Sequence, residues 1–413
     1  MTAENSKLTA LLSKVPEVTI FFWIIKVLCT TVGETASDFL NVNLNFGLTG
    51  TSIIAGILLV IALILQFRAK KYTPWIYWSS VVLISVFGTL VTDNLTDAMG
   101  VPLEVSTIVF SVLLALTFAA WYAKEKTLSI HSIFTVRREA FYWLTILFTF
   151  ALGTAAGDLM AESLGVGYAH TGIIICIVVA IMAIAWRLGL NAILAFWVVY
   201  IMTRPLGASL GDYLSQPAKY GGLGLGATWT TVIFISAIVV TVMYLSIAKI
   251  DLTTKTEATK DDALEIKRQP WAILQTAAVI AILVVASVGG YYYRHATLQA
   301  EIAAPVTANS QSSTAATAKH IFPAADIADF TTIVQDSLKM VNAGDLAGAK
   351  NRIADLEHDW DAAEGRLKTI NPAKWTEVDN ANDKVFRQLR AVNPTVDGSK
   401  AALEDLLKLL GQL

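Results

Sequence analysis

Four aspartates recur in this sequence with the same neighbours. Gly33-Glu-Thr-Ala-Ser-Asp38, Gly88-Thr-Leu-Val-Thr-Asp93, Gly153-Thr-Ala-Ala-Gly-Asp158 and Gly207-Ala-Ser-Leu-Gly-Asp212 all read G-x-x-x-x-D. A hydroxyl follows each one, at Thr51, Ser106, Thr171 and Thr230. The Asp-to-hydroxyl spacing is 13 residues in the first three copies and 5 longer in the fourth, where the Gly-rich stretch Tyr220 to Gly226 intervenes. One such match is noise, whereas four with a common spacing mark a tandem duplication. Steps of four along a helix stay close to one face. They give the stripes Lys26, Thr30, Glu34, Asp38; Ser85, Thr89, Asp93, Asp97; Thr154, Asp158, Glu162; and Tyr200, Arg204, Ala208, Asp212. The stripes hold seven acids against two bases, Lys26 and Arg204. Carboxylate oxygens suit protons and hard divalent ions, so the chemistry expected of this set is passage of an inorganic cation.

The competing reading of the same residues is structural. The four Asp residues lie about 20 residues, some 30 Å of helix, beyond the charges that open their segments. That places them at a membrane interface, where they would cap helices or tie each hairpin to its Thr51-type hydroxyl. Lys26 is deeper, and a charge inside a bilayer needs a partner or water; Glu34 or an Asp of a neighbouring repeat is the expected partner. His170, beside Thr171 at a helix start, suits an interfacial role better than metal ligation. The repeat glycines admit a packing role, because a missing Cβ lets two helices approach closely.

The elements that must position these residues are membrane spans. The chain has 413 residues, 55% hydrophobic and only 15% charged, against about a quarter charged in a soluble domain. A net charge of −2 gives no basic field for nucleic acid. Two cysteines, Cys29 and Cys176, lie in apolar runs and support neither a disulfide framework nor a thiolate metal site. Nine apolar stretches reach the length of about 20 residues that a spanning helix requires: 17–40, 47–67, 75–97, 102–122, 140–163, 170–187, 190–214, 228–248 and 271–293. Lys and Arg crowd alternate loops, at Lys7 and Lys14, Arg68 to Lys71, Lys124 to Arg138, Arg187, and Lys249 to Arg268, while Lys219 is the clear case on the other side. The distribution predicts a cytoplasmic N-terminus and, with nine spans, an extracytoplasmic C-terminus. Trp75, Trp78, Trp143, Trp186 and Trp271 fall near span ends and are expected in the interfacial belts.

Val15-Pro-Glu-Val-Thr-Ile-Phe-Phe-Trp-Ile-Ile-Lys26, followed by Thr30-Thr-Val-Gly-Glu34 and Asp38, resembles the opening of a family of bacterial membrane-anchored proteins that carry four tandem copies of a two-helix transmembrane repeat of unknown function. The resemblance spans 15–248. It implies a multi-pass protein of the bacterial inner membrane and brings no activity or cofactor with it. Lys26 and Glu34 are not repeated in the later units, so neither can play a four-fold role.

The expected architecture is all-α: a cytoplasmic N-terminus (1–16), a transmembrane domain of four parallel hairpin repeats forming an eight-helix bundle (17–248), a charged cytoplasmic loop (249–270), a ninth anchoring helix (271–293), a Ser/Thr/Ala-rich flexible linker (294–324) and an extracytoplasmic four-helix domain (325–413). Amphipathic periodicity predicts the last four helices near 326–342, 345–367, 372–391 and 399–411, with Asp345, Asn371-Pro372 and Ser399 as start signals and Trp360 and Trp375 in the core. The i, i+4 pairs Glu357/Asp361 and Asp379/Asp383 could chelate a metal, but Arg352, Arg366, Lys384 and Arg387 neutralise those faces. No cofactor motif and no nucleophile–base constellation is present, which argues against an enzyme. The sequence therefore points first to transport of an inorganic cation through a path lined by the repeat Asp residues. The second reading is a membrane scaffold or sensor that displays the C-terminal domain to an extracytoplasmic partner.

Overall fold

The computed structural model describes residues 13–43, 46–99, 101–215, 223–251, 271–303, 321–391 and 394–413. The predicted loop 249–270 and linker 294–324 fall largely outside them, as does Lys219. Among the described residues the chain is all helical, and nine helices are long and apolar enough to cross a membrane. They are α1 (Ile20–Asp38), α2 (Gly47–Arg68), α3 (Pro74–Asp93), α4 (Leu103–Glu125), α5 (Val136–Asp158), α6 (Tyr168–Arg187), α7 (Ala192–Ser215), α8 (Gly226–Ala248) and α9 (Ala272–Ala303). The chain is thus a polytopic membrane protein. The ninth helix runs ten residues past the predicted end at 293.

The odd helices form an inner ring. α1 packs on α3, α3 on α5, α5 on α7, and α7 closes back on α1. Each even helix lies outside the ring, against the inner helix of the following unit: α2 on α3, α4 on α5, α6 on α7, and α8 on α1. The repeats are therefore swapped round a circle, and the last outer helix completes it by packing on the first inner one. Burial follows this division, at 56–61% of the apolar window for inner helices and 17–28% for outer ones.

Composition explains why the odd helices go inside. They carry the repeat glycines and a run of hydroxyls, five of which are satisfied within their own helix: Thr30 and Thr31 donate to Val27 O, Thr35 to Thr31 O, Thr89 to Ser85 O and Thr154 to Phe150 O. A hydroxyl bonded to the preceding turn can be buried without an orphaned donor. The even helices are apolar all round and present Ile, Val and Leu outward, as at Ile53, Ile57, Ile61, Ile173, Ile177 and Ile181.

The glycines explain how closely the ring can pack. A Cβ on Gly88 would sit 2.7 Å from Phe150 Cβ, and one on Gly153 would sit 2.5 Å from Arg204 Cβ. One on Gly33 would overlap Ser85, and one on Gly207 would overlap Thr30. Ser85, Phe150, Arg204 and Thr30 each stand three residues before the repeat glycine of their own unit. Every repeat glycine thus receives the same position of the next unit, round the whole circle. Close approach of helix backbones is the reason for glycine here.

Three inner helices change pitch at their far end. Asp38, Asp93 and Asp158 are the last α-helical residues before the π-helical turns Phe39–Asn43, Asn94–Ala98 and Leu159–Ser163. At the opposite end, residues 13–18 run beneath the ring. Val15 is buried, and Lys14 Nζ donates to Glu139 Oε2 (2.7 Å) and Phe67 O (3.1 Å).

Four further helices, α10 (Ala324–Asn342), α11 (Leu346–Ile370), α12 (Pro372–Arg390) and α13 (Val396–Leu410), form a second bundle. Asp345 and Asn371 cap α11 and α12, accepting from Gly348 N (2.8 Å) and Lys374 N (3.1 Å). The last start differs from the expectation: Thr395, not Ser399, caps α13 by accepting from Gly398 N, and Ser399 is buried inside the helix. Trp360 and Trp375 stack in the core with centroids 3.8 Å apart. α11 lies against the π turn of the third unit, and α12 against those of the first two.

Candidate functional site

The site grows from the two buried cations of the ring. Lys26, on α1, is 1% exposed. Its ammonium lies 3.7 Å from the centroid of the Phe150 ring on α5 and 4.1 Å from that of Tyr200 on α7. No hydrogen-bond acceptor reaches its Nζ among the described residues. This corrects the expected pairing with Glu34 or a neighbouring Asp. The physical reason is register: eight residues separate Lys26 from Glu34, about 12 Å along one helix, so Glu34 belongs to a different level. Two aromatic faces hold the charge instead, at about 2 kcal/mol or more when desolvated. That offsets much of the roughly 2.5–3.5 kcal/mol that insertion scales assign to a buried lysine.

Arg204, also 1% exposed, occupies the next level on α7, one turn beyond Tyr200. Its Nη2 donates to Glu34 Oε2 (2.6 Å) and to the Thr89 hydroxyl on α3. Its Nε and Nη1 have no acceptor among the described residues. Its stem lies on Gly153 of α5. All four inner helices thus meet at this arginine. Pro205, which follows it, has no N–H to satisfy and sets its ring against Gly157.

Beyond Arg204 lies the acidic level. Glu34, Asp38 and Asp212 each offer a carboxylate oxygen, and these oxygens lie within 4.8 Å of one another. Such a set has the donor chemistry to hold a hard cation or share a proton. It draws on the first and fourth units only. Asp93 and Asp158 hold the equivalent helix positions without entering it, so the four repeat aspartates do not converge as a single group. The side chains of Asp97 and Glu162, which complete two of the predicted stripes, lie outside the described residues.

The hydroxyls of the outer helices are all buried, at Thr51, Ser106, Thr171 and Thr230. Those of Thr51, Ser106 and Thr171 have no partner among the described residues, and Thr230 bonds the Gly226 carbonyl of its own helix. They do not tie hairpins together. Each outer helix packs chiefly on the inner helix of the next unit. His170 is exposed at the second residue after the start of α6.

The end of the ring where the inner helices begin is filled with aromatics and charge pairs that the sequence reading passed over. Trp78 and Trp143 were expected in an interfacial belt but are buried there, beside Tyr77 and Tyr142, whose hydroxyls meet at 2.5 Å. Trp75, Trp186 and Trp271 are exposed, as a belt requires. Glu139 binds Lys14 and also accepts from Gln66 Nε2 (3.0 Å). Tyr72 donates to Asp251 (2.7 Å) and accepts from Trp78 Nε1 (3.1 Å). Burial pushes the Asp251 carboxyl above its ordinary range and the Tyr72 phenol up as well. A glutamate and an aspartate one or two residues from a run of apolar sequence were the available signs. In the second bundle, Glu357 is engaged by Arg390 (2.8 Å) and Asp379 accepts from Trp360 Nε1 (2.9 Å), so the two proposed chelating pairs are divided between other partners. The side chain of Asp361 lies outside the described residues.

The ring and its swapped outer helices define a class of multi-pass membrane protein made by four-fold repetition of a helical hairpin. Residues 21–72, 76–127, 141–188 and 195–251 match the family described as Repeat of Unknown Function (DUF347), and the chain belongs to that family. No curated protein and no solved structure matches this chain.

Proposed function

We propose that the protein carries a small inorganic cation across the bacterial inner membrane, taking it up at Glu34, Asp38 and Asp212. One observation carries the proposal: these three carboxylates, from two different repeats, converge to within 4.8 Å where α1 meets α7. The excess of Lys and Arg in the loops before the inner helices supports a cytoplasmic start for the ring. On that topology the acidic level opens to the periplasm, beneath the C-terminal bundle. The aromatic plug, Lys14 and Glu139 then close the cytoplasmic end. A path blocked at one end and acidic at the other suits a carrier that alternates access better than an open pore.

The test is flux in proteoliposomes. Protons and common divalent cations are screened with the full chain and with Asp38→Asn/Asp212→Asn. Transport by the first and none by the second, at equal thermal stability, supports the assignment. Flux unchanged in the variant removes these residues from the path.

A second reading has its own support. α11 and α12 rest on the three π-helical turns, as they would in a sensor that reports ligand binding in its helical bundle through the ring. Absence of flux for every ion from the native protein moves the weight to this reading.

A further inference from the structure

We propose that Arg204 is the resident counter-ion of the acidic level, and that a divalent metal cation binds there by drawing Glu34 away from it. This deepens the cation reading and rests on it, naming the charge of the substrate and the residue that couples its arrival to the ring. Arg204 is 1% exposed. Its Nη2 reaches into the acidic set and donates to Glu34 Oε2 at 2.6 Å. Glu34, Asp38 and Asp212 in turn offer oxygens within 4.8 Å of one another. One carboxylate thus has two claimants, the guanidinium and any ion held by the set. Arg204 Nε and Nη1 meet no acceptor among the described residues. Buried donors go unpaired only at a cost, so the guanidinium is incompletely satisfied where it stands, as suits a group with a second position. The Thr89 hydroxyl on α3 also accepts from Nη2 and stays with it when Glu34 leaves.

Competition for Glu34 selects the ligand. A monovalent ion brings no more charge than the guanidinium already supplies, and it forfeits the charge-assisted hydrogen bond. A divalent ion doubles the attraction at equal distance, and carboxylate oxygens suit it. Three carboxylates against one guanidinium leave two formal negative charges, which a divalent ion balances. Displacement also reaches beyond the site. Arg204 stands on α7, bonds α1 and α3, and lays its stem on Gly153 of α5. Binding at one seam therefore alters a contact shared by all four inner helices, which is the differential interaction that a change of access requires.

The experiment uses the full chain, purified in non-ionic detergent. Manganese(II) chloride replaces choline chloride at constant ionic strength, and the melting temperature is followed, with sodium chloride as the monovalent control. A specific ligand of the folded state is read from the midpoint of its stabilisation. The expected result is a saturable rise with manganese, none with sodium, and none in Asp38→Asn/Asp212→Asn. Arg204→Met removes the competitor and is expected to lower the midpoint at least about tenfold. Thr89→Val leaves every charge in place but removes the acceptor of the displaced guanidinium, and is expected to raise the midpoint about tenfold. A merely structural role for Arg204 moves the melting temperature without manganese and leaves both midpoints alone. No saturable rise in the native protein overturns the proposal, while flux of protons or another cation would still uphold the cation reading. An equal rise with sodium, or one that survives Asp38→Asn/Asp212→Asn, also overturns it. A midpoint unchanged by Thr89→Val, or not lowered by Arg204→Met, overturns the proposal alone. Should Arg204→Met not fold, Thr89→Val decides by itself.

Discussion

Replacing Gly88 by alanine tests the ring interface more directly than any change to a charged residue. The added Cβ would lie 2.7 Å from Phe150 Cβ and 3.4 Å from the Ala151 amide nitrogen. Carbon atoms in ordinary contact stand about 3.5–4.0 Å apart, so α3 and α5 must separate by roughly 1 Å. Overpacking of this kind costs about 1–3 kcal/mol. Alanine returns up to about 1 kcal/mol as the better helix former. The net expectation is a loss of about 1 kcal/mol. Gly289 in α9 supplies the control, because a Cβ there meets nothing within 4 Å. Only the propensity gain remains at that site, so Gly289→Ala should stabilise by up to about 1 kcal/mol. The two substitutions, chemically identical, should therefore differ by about 2 kcal/mol, which is several degrees of melting temperature in a domain of this size. Thermal unfolding of both proteins in the same detergent at one scan rate measures the difference, since such transitions depend on scan rate when irreversible. Gly88→Ala melting at or above Gly289→Ala would refute the claim that the repeat glycines set the helix spacing.

Other perturbations follow from the same structure. Glu34→Gln leaves Arg204 buried without its counter-charge and should cost about 3–5 kcal/mol; Glu34→Gln/Arg204→Met should recover part of that loss in a thermal-unfolding cycle, and additive losses would show that the pair is not coupled. Asp251 is buried with its carboxyl held above the ordinary 3.8. A raised folded value means that the proton favours the folded state, so this contribution to stability is greatest at low pH and falls as pH rises through the folded value. Asp251→Asn keeps an acceptor for Tyr72 and cannot titrate, so the native melting temperature should fall relative to the variant as pH rises above the ordinary carboxylate range; parallel curves would contradict the assignment. Trp360→Ala removes a ring stacked at 3.8 Å on Trp375 and should destabilise the C-terminal bundle by about 3–5 kcal/mol, read as early proteolysis of residues 321–413 with the ring left intact.

The parts of this molecule legible in the sequence are those carried by local pattern. Apolar length located nine spans, and the G-x-x-x-x-D copies located four units whose aspartates each close an α-helical segment or lie within its last turn. Asp345 and Asn371 marked helix starts because a cap acts on an amide three residues away. What stayed hidden depends on closure of the circle. Glu34 and Arg204 are 170 residues apart, and only the return of α7 to α1 makes them partners. Lys26 was expected to need a carboxylate because the sequence shows its charge but not the two rings delivered by α5 and α7. Trp78 and Trp143 have the spacing of interfacial anchors, and the same spacing serves a plug once their helices are on the inside. The hairpin assumption failed for a similar reason: consecutive helices need not be each other's main contact when a ring of units can swap them.

The frame and its contents obey different symmetries, and this limits what the ring can do. Glycine, the contact it receives from the next unit, the aspartate and the outer hydroxyl recur in every unit. The axis does not repeat. The position seven before the glycine is Lys26, Val81, Ile146 or Tyr200, and the position three before is Thr30, Ser85, Phe150 or Arg204. All eight side chains are buried. A four-fold cage that strips an ion with equivalent ligands cannot be built from such a set. The polar groups concentrate instead on one seam, between the first and fourth units, which holds Lys26, Glu34, Asp38, Arg204 and Asp212 and is bridged again by Thr231 donating to Thr35 (2.8 Å). The second and third units contribute mainly a hydroxyl, a ring and spacing. Duplication accounts for the enclosure and divergence at the seam for the candidate site, so on the proposed function substitutions there should change transport while equivalent ones in the middle units should change only packing.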